Sequence, residues 1–317
     1  MAGAAPGDLL MSRIFVAGLA NIETTLAVDS FPLPYFPARY PFFGIQTTVS
    51  GVGFNVASAL TALGNQVDFM SLIGGDDNAL LVRKALRENA IEDGLVLNTG
   101  NATAQSVVLY DPDGRREIHT DLKDLQDTVY PIHHAVPAIR ACDLAVICNI
   151  NFARPMLAEA RAAGKLIATD VHVLSDLEDE YNRDFLAAAD ILFLSDEALV
   201  DTPEDTAREL QRRYGNRVIV IGMGSKGALL AYQQDDFIGR FSAVQVRPVV
   251  NTIGAGDALF AAFIDRYLKT GDPYHALRAA MLFAAYKIGE KGASQGFLSE
   301  QALKTLIAER DQETGHG

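Results

Sequence analysis

The run Asn251-Thr252-Ile253-Gly254-Ala255-Gly256-Asp257 combines the residue types that transfer of an anionic group requires. Its glycines let backbone N–H groups converge. The apolar stretch 258–264 that follows reads as a buried helix whose first turn adds partial positive charge. Such a cup suits a phosphoryl group gathering negative charge. Asp257 stands in the first helical turn, where a carboxylate is placed to take a proton from an attacking hydroxyl. An aspartate that only complements a helix N-terminus has the same spacing, so the run alone leaves both roles open.

These residues need a scaffold. Apolar runs bounded by turn residues predict strands at 13–18, 67–73, 143–147, 166–169, 191–194 and 218–221, with helices at 55–63, 79–89, 156–163 and 204–214. Their alternation implies parallel βαβ units. The fold class is therefore α/β, a doubly wound, mostly parallel sheet flanked by helices, with ligands at the carboxyl ends of its strands. Two stretches break the rhythm. Residues 31–43 are rich in proline and aromatics, and residues 107–120 read as strand–turn–strand around Asp111-Pro112-Asp113-Gly114. Together they are expected to form a small β-sheet lid that keeps water from the site, from inserted segments at about 27–50 and 105–122. Surface loops are the alternative. A single α/β domain is expected over 12–310, with 1–11 as an N-terminal extension.

The composition narrows the function class. The chain has 317 residues, 49 % hydrophobic and 21 % charged, so it can build a substantial core. A formal net charge of −13 repels nucleic-acid backbones and anionic membrane surfaces. Neither is an expected partner. The two cysteines, Cys142 and Cys148, read as small buried hydrophobes rather than a disulfide framework. No apolar run is long enough to span a bilayer, and the N-terminus lacks the pattern of a signal peptide, so a cytoplasmic setting is expected. His133, His134 and His172 show no metal-ligand spacing.

Thr252 to Asp257, Gly51-Val52-Gly53-Phe54-Asn55 and Gly224-Ser225-Lys226-Gly227 together resemble the three signatures of the ribokinase-like (PfkB) carbohydrate kinase family. They stand in the family's order and at its separations, across nearly all of residues 12–305. The resemblance implies a ribokinase-like domain with a small β-sheet lid. It also implies transfer of the γ-phosphate of ATP, with Mg²⁺, to a hydroxymethyl group of a sugar or nucleoside. Carried over, it makes Asp257 the general base and Gly254, Ala255 and Gly256 the anion hole. Gly51, Gly53 and Asn55 would line the sugar pocket, with Asn21 and Glu23 beside them. Thr252, Gly224, Ser225 and Gly227 would border the nucleotide. Lys291-Gly292-Ala293 would flank adenine and, in many members, a monovalent cation.

Some positions depart from the family pattern. Glu23 replaces an aspartate that usually bonds two sugar hydroxyls, and Ser50 precedes Gly51 where two glycines are common. Asn251 replaces an aspartate, and a neutral amide is a poorer cation ligand, which argues against potassium activation. The Asn-x-x-Glu element that helps hold hydrated Mg²⁺ should fall near Leu194-Ser195-Asp196-Glu197, where Asp196 or Glu197 would substitute. Asn149 and Asn151 end a strand at the ligand-bearing edge; they suit hydroxyl or base recognition, or a turn cap. The resemblance implies that the acceptor is a free sugar (ribose- or fructose-like) or a nucleoside, pseudouridine included. A non-catalytic sensor of sugar or nucleotide on the same fold is the alternative from another class. The aromatic segment would cover the pocket or pair two lids in a homodimer.

Overall fold

The run Val218–Gly222 carries no polar side chain on either side, which demands cover on both faces of its sheet. The computed structural model, which describes residues 11–290 and 292–314, supplies that cover. Apart from Met11, the expected N-terminal extension lies outside the described residues.

The chain opens with β1 (Arg13–Ala17), β2 (Asn21–Ala27), β3 (Ile45–Ser50), α1 (Val52–Ala62), β4 (Gln66–Gly74) and α2 (Asp77–Glu88). There follow β5 (Glu92–Gly100), β6 (Gln105–Tyr110), β7 (Arg116–Asp121), α3 (Val136–Ala141), β8 (Leu144–Ile147), α4 (Pro155–Ala162) and β9 (Leu166–Val173). Then come α5 (Arg183–Ala188), β10 (Ile191–Ser195), α6 (Pro203–Tyr214), β11 (Val218–Gly222), β12 (Ala228–Tyr232) and β13 (Phe237–Phe241). Three helices close it: α7 (Ala255–Thr270), α8 (Pro273–Lys287) and α9 (Glu300–Thr314).

A nine-stranded sheet runs β13-β12-β11-β10-β9-β8-β1-β4-β5, parallel from β11 to β5, with β12 and β13 added antiparallel. Because side chains alternate along a strand, Ile14, Val16, Val146 and Val220 face one layer, built from α1, α7 and α8. Phe15, Ala17, Ile147 and Ile221 face the other, built from α3 to α6. The chain lays β4 and β5 on one side of β1, then returns to its other side with β8. That reversal opens the crevice at the carboxyl ends of β1 and β8 where ligands bind in such sheets.

A second sheet has the order β3-β2-β6-β7. The hairpin read from residues 107–120 is present as β6 and β7, paired antiparallel. The proline-rich stretch behaves otherwise. Pro32, Pro34, Pro37 and Pro41 lack N–H donors for a ladder, so residues 31–43 contribute no strand and instead connect β2 to β3. Tyr35, Phe42 and Phe43 are left exposed. The strand partners are β2 and β3 themselves, on either side of that segment.

Candidate active site

α7 begins without a side-chain cap, with Gly254 at its N-cap and φ 75°. Glycine is required there twice over. The backbone is left-handed, and a Cβ would lie 2.6 Å from the carbonyl oxygen of Ala293. First-turn N–H groups of a helix have no intrahelical acceptor. That of Ala255 turns back to the Thr252 carbonyl at 3.2 Å. A side chain at Gly256 would meet nothing within 4 Å, so the space beside this turn is open. The loop before it is braced: Val250 and Asn251 N–H both donate to the Ile288 carbonyl, at 2.8 and 3.0 Å, and Asn251 Oδ1 accepts from Ile253 N–H at 2.8 Å. Of the 291–293 loop, Lys291 lies outside the described residues; Gly292 accepts from Gln295 N–H, and Ser294 Oγ donates to the Val49 carbonyl at 2.9 Å.

Four side chains far apart in sequence join into one hydrogen-bonded chain. Asn55 Nδ2 donates to Asp257 Oδ2 at 2.7 Å and to Ser50 Oγ at 3.3 Å. Ser50 Oγ donates to Glu23 Oε2 at 3.2 Å. All four residues are buried. Burial raises the Asp257 carboxyl above its ordinary value. His172, the Asn55 amide and Lys287 oppose that rise, and Asp170 adds to it. Burial likewise raises Glu23, against the Ser50 hydroxyl and Lys287 and with the help of Asp257. Nearby, Asn21 Nδ2 donates to Ser106 Oγ at 3.0 Å. Asn21 Oδ1 and Glu23 Oε1 are buried with no hydrogen-bond partner among the described residues. Two buried acceptors left open ask for hydroxyl or N–H donors from a ligand.

Gly51 and Gly53 start α1, which carries Asn55. Their missing side chains admit backbone rather than ligand. A Cβ on Gly53 would stand 2.6 Å from Gly18 Cα, and one on Gly51 2.5 Å from the Leu19 carbonyl oxygen. Gly53→Ala should therefore lift α1 off the β1–β2 turn, costing about 1–3 kcal/mol in urea unfolding. A variant as stable as wild type would show that the contact yields freely.

The other expected site residues fall elsewhere. Asn151 is committed to protein partners, donating to the Gln126 carbonyl at 3.0 Å and accepting from Arg154 at 3.2 Å. It is not part of the chain from Glu23 to Asp257. Asn149 donates to Asn182. Gly224 and Ser225 lie in the turn Gly224–Lys226 after β11, with Gly227 leading into β12. Asp196 and Glu197 follow β10; Asp196 stands 3.8 Å from Lys226 Nζ, and Glu197 is 3.2 Å from Arg116 of β7. Asp170, by contrast, is buried on β9 with His172 Nδ1 3.6 Å away, and both act on the Asp257 carboxyl. Ser106 and Lys287 were missed, and Ser50 was noted only for not being glycine. Lys287 did carry a signal: a cation closing the apolar run 279–286.

Residues 11–300 match the pfkB family carbohydrate kinase description. The chain is 28 % identical to an ATP-dependent ribose-1-phosphate kinase of Halopiger xanaduensis, covering 95 % of this chain and 99 % of that one. It is 26 % identical to the acarbose 7(IV)-phosphotransferase of an Actinoplanes species, over 92 % and 96 %. Among solved structures, a microbiome-derived acarbose kinase superposes with a TM-score of 0.83 at 28 % identity, over 94 % of this chain and all (100 %) of that one.

Proposed function

The chain belongs to the pfkB family of carbohydrate kinases, phosphotransferases with an alcohol acceptor, and we propose that it moves the γ-phosphate of ATP onto a hydroxymethyl group of a free sugar. The observation that carries this reading is the buried chain Glu23–Ser50–Asn55–Asp257, which ends at an uncapped helix N-terminus. Glu23 and Asn21 offer open acceptors to sugar hydroxyls. Asp257 accepts the proton of the attacking hydroxyl, and Asn55 fixes the carboxylate's orientation while it does so. The amides at the start of α7 receive the charge that develops on the transferring phosphoryl group.

Gly224, Ser225 and Gly227 at the end of β11, with Gly292 and Ala293, are assigned to the nucleotide side. Mg²⁺ needs only one or two carboxylates, because phosphates and water complete its shell. Asp196 fits that demand, whereas Glu197 is paired with Arg116 at 3.2 Å. Asp196 is fixed by its N–H on the Gly222 carbonyl at 2.9 Å, with its carboxylate only loosely opposite Lys226. Such an ion would neutralise phosphate charge.

A sugar that already bears a phosphate suits the acceptor side poorly, since Glu23 and Asp257 would repel it. Arg115 and Arg116 are already paired, with Asp111 and Glu197. The similarity to a ribose-1-phosphate kinase nevertheless makes that acceptor a necessary comparison, and nucleosides are the second reading. Free sugars, oligosaccharides, nucleosides including pseudouridine, and sugar 1-phosphates, each with ATP and Mg²⁺, should be separated by ADP release. Turnover confined to phosphorylated sugars overturns the proposal, and binding without transfer to any acceptor favours a sensor.

The raised Asp257 fixes the sign of the pH dependence. The base works ionised, so kcat/KM should fall as pH drops through a value above the ordinary aspartate range of about 4. An acid limb at or below that range would mean that a desolvated Asp257 is not the base.

A further inference from the structure

Lys287 ends α8 and is fully buried. A buried ammonium must find acceptors. Its Nζ donates to the Ile253 carbonyl, in the loop that feeds the amide cup. Burial lowers its pKa to about 8, while Asp257 on α7, Glu23 on β2 and Glu290 in the turn beyond α8 favour its charge. Lys287 sits where two segments meet, because residues 250–251 hang from the Ile288 carbonyl and Ala293 packs under Gly254. No step proposed above uses it.

Peptide geometry gives this bond a direction. In a trans peptide the C=O and the following N–H point opposite ways. Holding the Ile253 carbonyl toward Lys287 therefore turns the Gly254 N–H away from Lys287. The family resemblance implies, in many members, a monovalent cation at this junction. The residues here do not fit one. Asn251 is neutral and its Oδ1 accepts from Ile253 N–H, while the Ile253 carbonyl, the kind of oxygen such a cation takes, already accepts from an ammonium.

We infer that Lys287 is a positioning residue whose ammonium takes the place of a free monovalent cation, setting the 251–254 loop and removing any requirement for potassium. This rests on the kinase reading for what the loop does, but the cation behaviour shows itself without catalysis. Wild type and Lys287→Met are compared in choline chloride, KCl and NH₄Cl at a constant ionic strength of about 0.15 M, by thermal melting and by ADP release. Wild type should melt alike in all three, with turnover varying by less than about twofold. Lys287→Met should lose about tenfold or more in choline, and KCl or NH₄Cl should restore several-fold of that loss and raise its melting temperature. Melting of wild type that rises saturably with KCl overturns the inference, whether or not the variant folds. So does a variant that keeps its rate in choline, or one that neither salt rescues. Melting decides the matter even if no acceptor is ever phosphorylated, which separates failure here from failure of the kinase reading.

Discussion

Asp257→Asn should turn over about 10³-fold more slowly than wild type while still binding ATP, because a positioned base contributes roughly 10²–10⁴-fold. The substitution is close to isosteric, and the new amide keeps an oxygen that can accept from Asn55 Nδ2, so the chain to Ser50 and Glu23 survives. What disappears is the proton acceptor. A second effect has the opposite sign. A carboxyl whose folded-state pKa is raised adds stability only below its unfolded value, and loses that contribution as pH rises through the folded value. At pH 7 the ionised Asp257 is therefore a cost to the fold. The variant should melt at or above wild type near pH 7, with the difference fading toward about pH 4. ADP release and thermal melting on the same preparation read both effects. Near-normal turnover removes the base assignment.

The largest expected loss of stability lies further along α7. Asp265 is fully buried and accepts from Asn65 at 2.8 Å, from Lys269 at 2.6 Å and from Arg266 at 2.6 Å. Arg266 and Lys269 also pair with Glu300 of α9, itself 3.2 Å from Lys304. Asp265→Ala leaves two nearly buried cations sharing one carboxylate. Breaking a buried pair from one side costs about 3–5 kcal/mol, because the remaining charge stays desolvated. Urea unfolding at pH 7 should show a midpoint lowered accordingly, with the denaturant slope unchanged. A loss below about 1 kcal/mol would mean that Glu300 alone satisfies both cations.

The parts of the fold that sequence reveals are those where burial is two-sided. Leu144–Ile147, within the run read at 143–147, and the run 218–221 carry no polar side chain, and both are internal strands of the large sheet. Helix boundaries fell within a few residues: 204–214 was expected, and α6 covers Pro203–Tyr214, starting on the Thr202 cap and ending at Gly215. Reading failed where pattern and burial part company. β2 has the sequence Asn-Ile-Glu-Thr-Thr-Leu-Ala, too polar to stand out as an apolar run, and no strand was read there. Asn21 and Glu23 are polar yet buried, so polarity there does not mark a surface loop. In the candidate site, Gly254, Asn55 and Asp257 were named through motifs and Glu23 through the resemblance, and the structure joins Glu23, Asn55 and Asp257 in one hydrogen-bonded chain. Ser50 as the link between two carboxylates was not legible, since a serine's partners depend on tertiary approach. Asn151 shows the converse: it was read at the end of a strand, but it opens the 3-10 turn Asn151–Ala153 beyond β8, where its amide bonds Gln126 and Arg154.

The small sheet is tied to the body through Ser50, the last residue of β3, whose hydroxyl sits between Glu23 on β2 and Asn55 on α1. A rocking of that sheet would therefore tug on the amide that aims Asp257. On the kinase reading proposed above, a sugar bound against Glu23 would be felt at Asp257 through the Ser50 hydroxyl and the Asn55 amide.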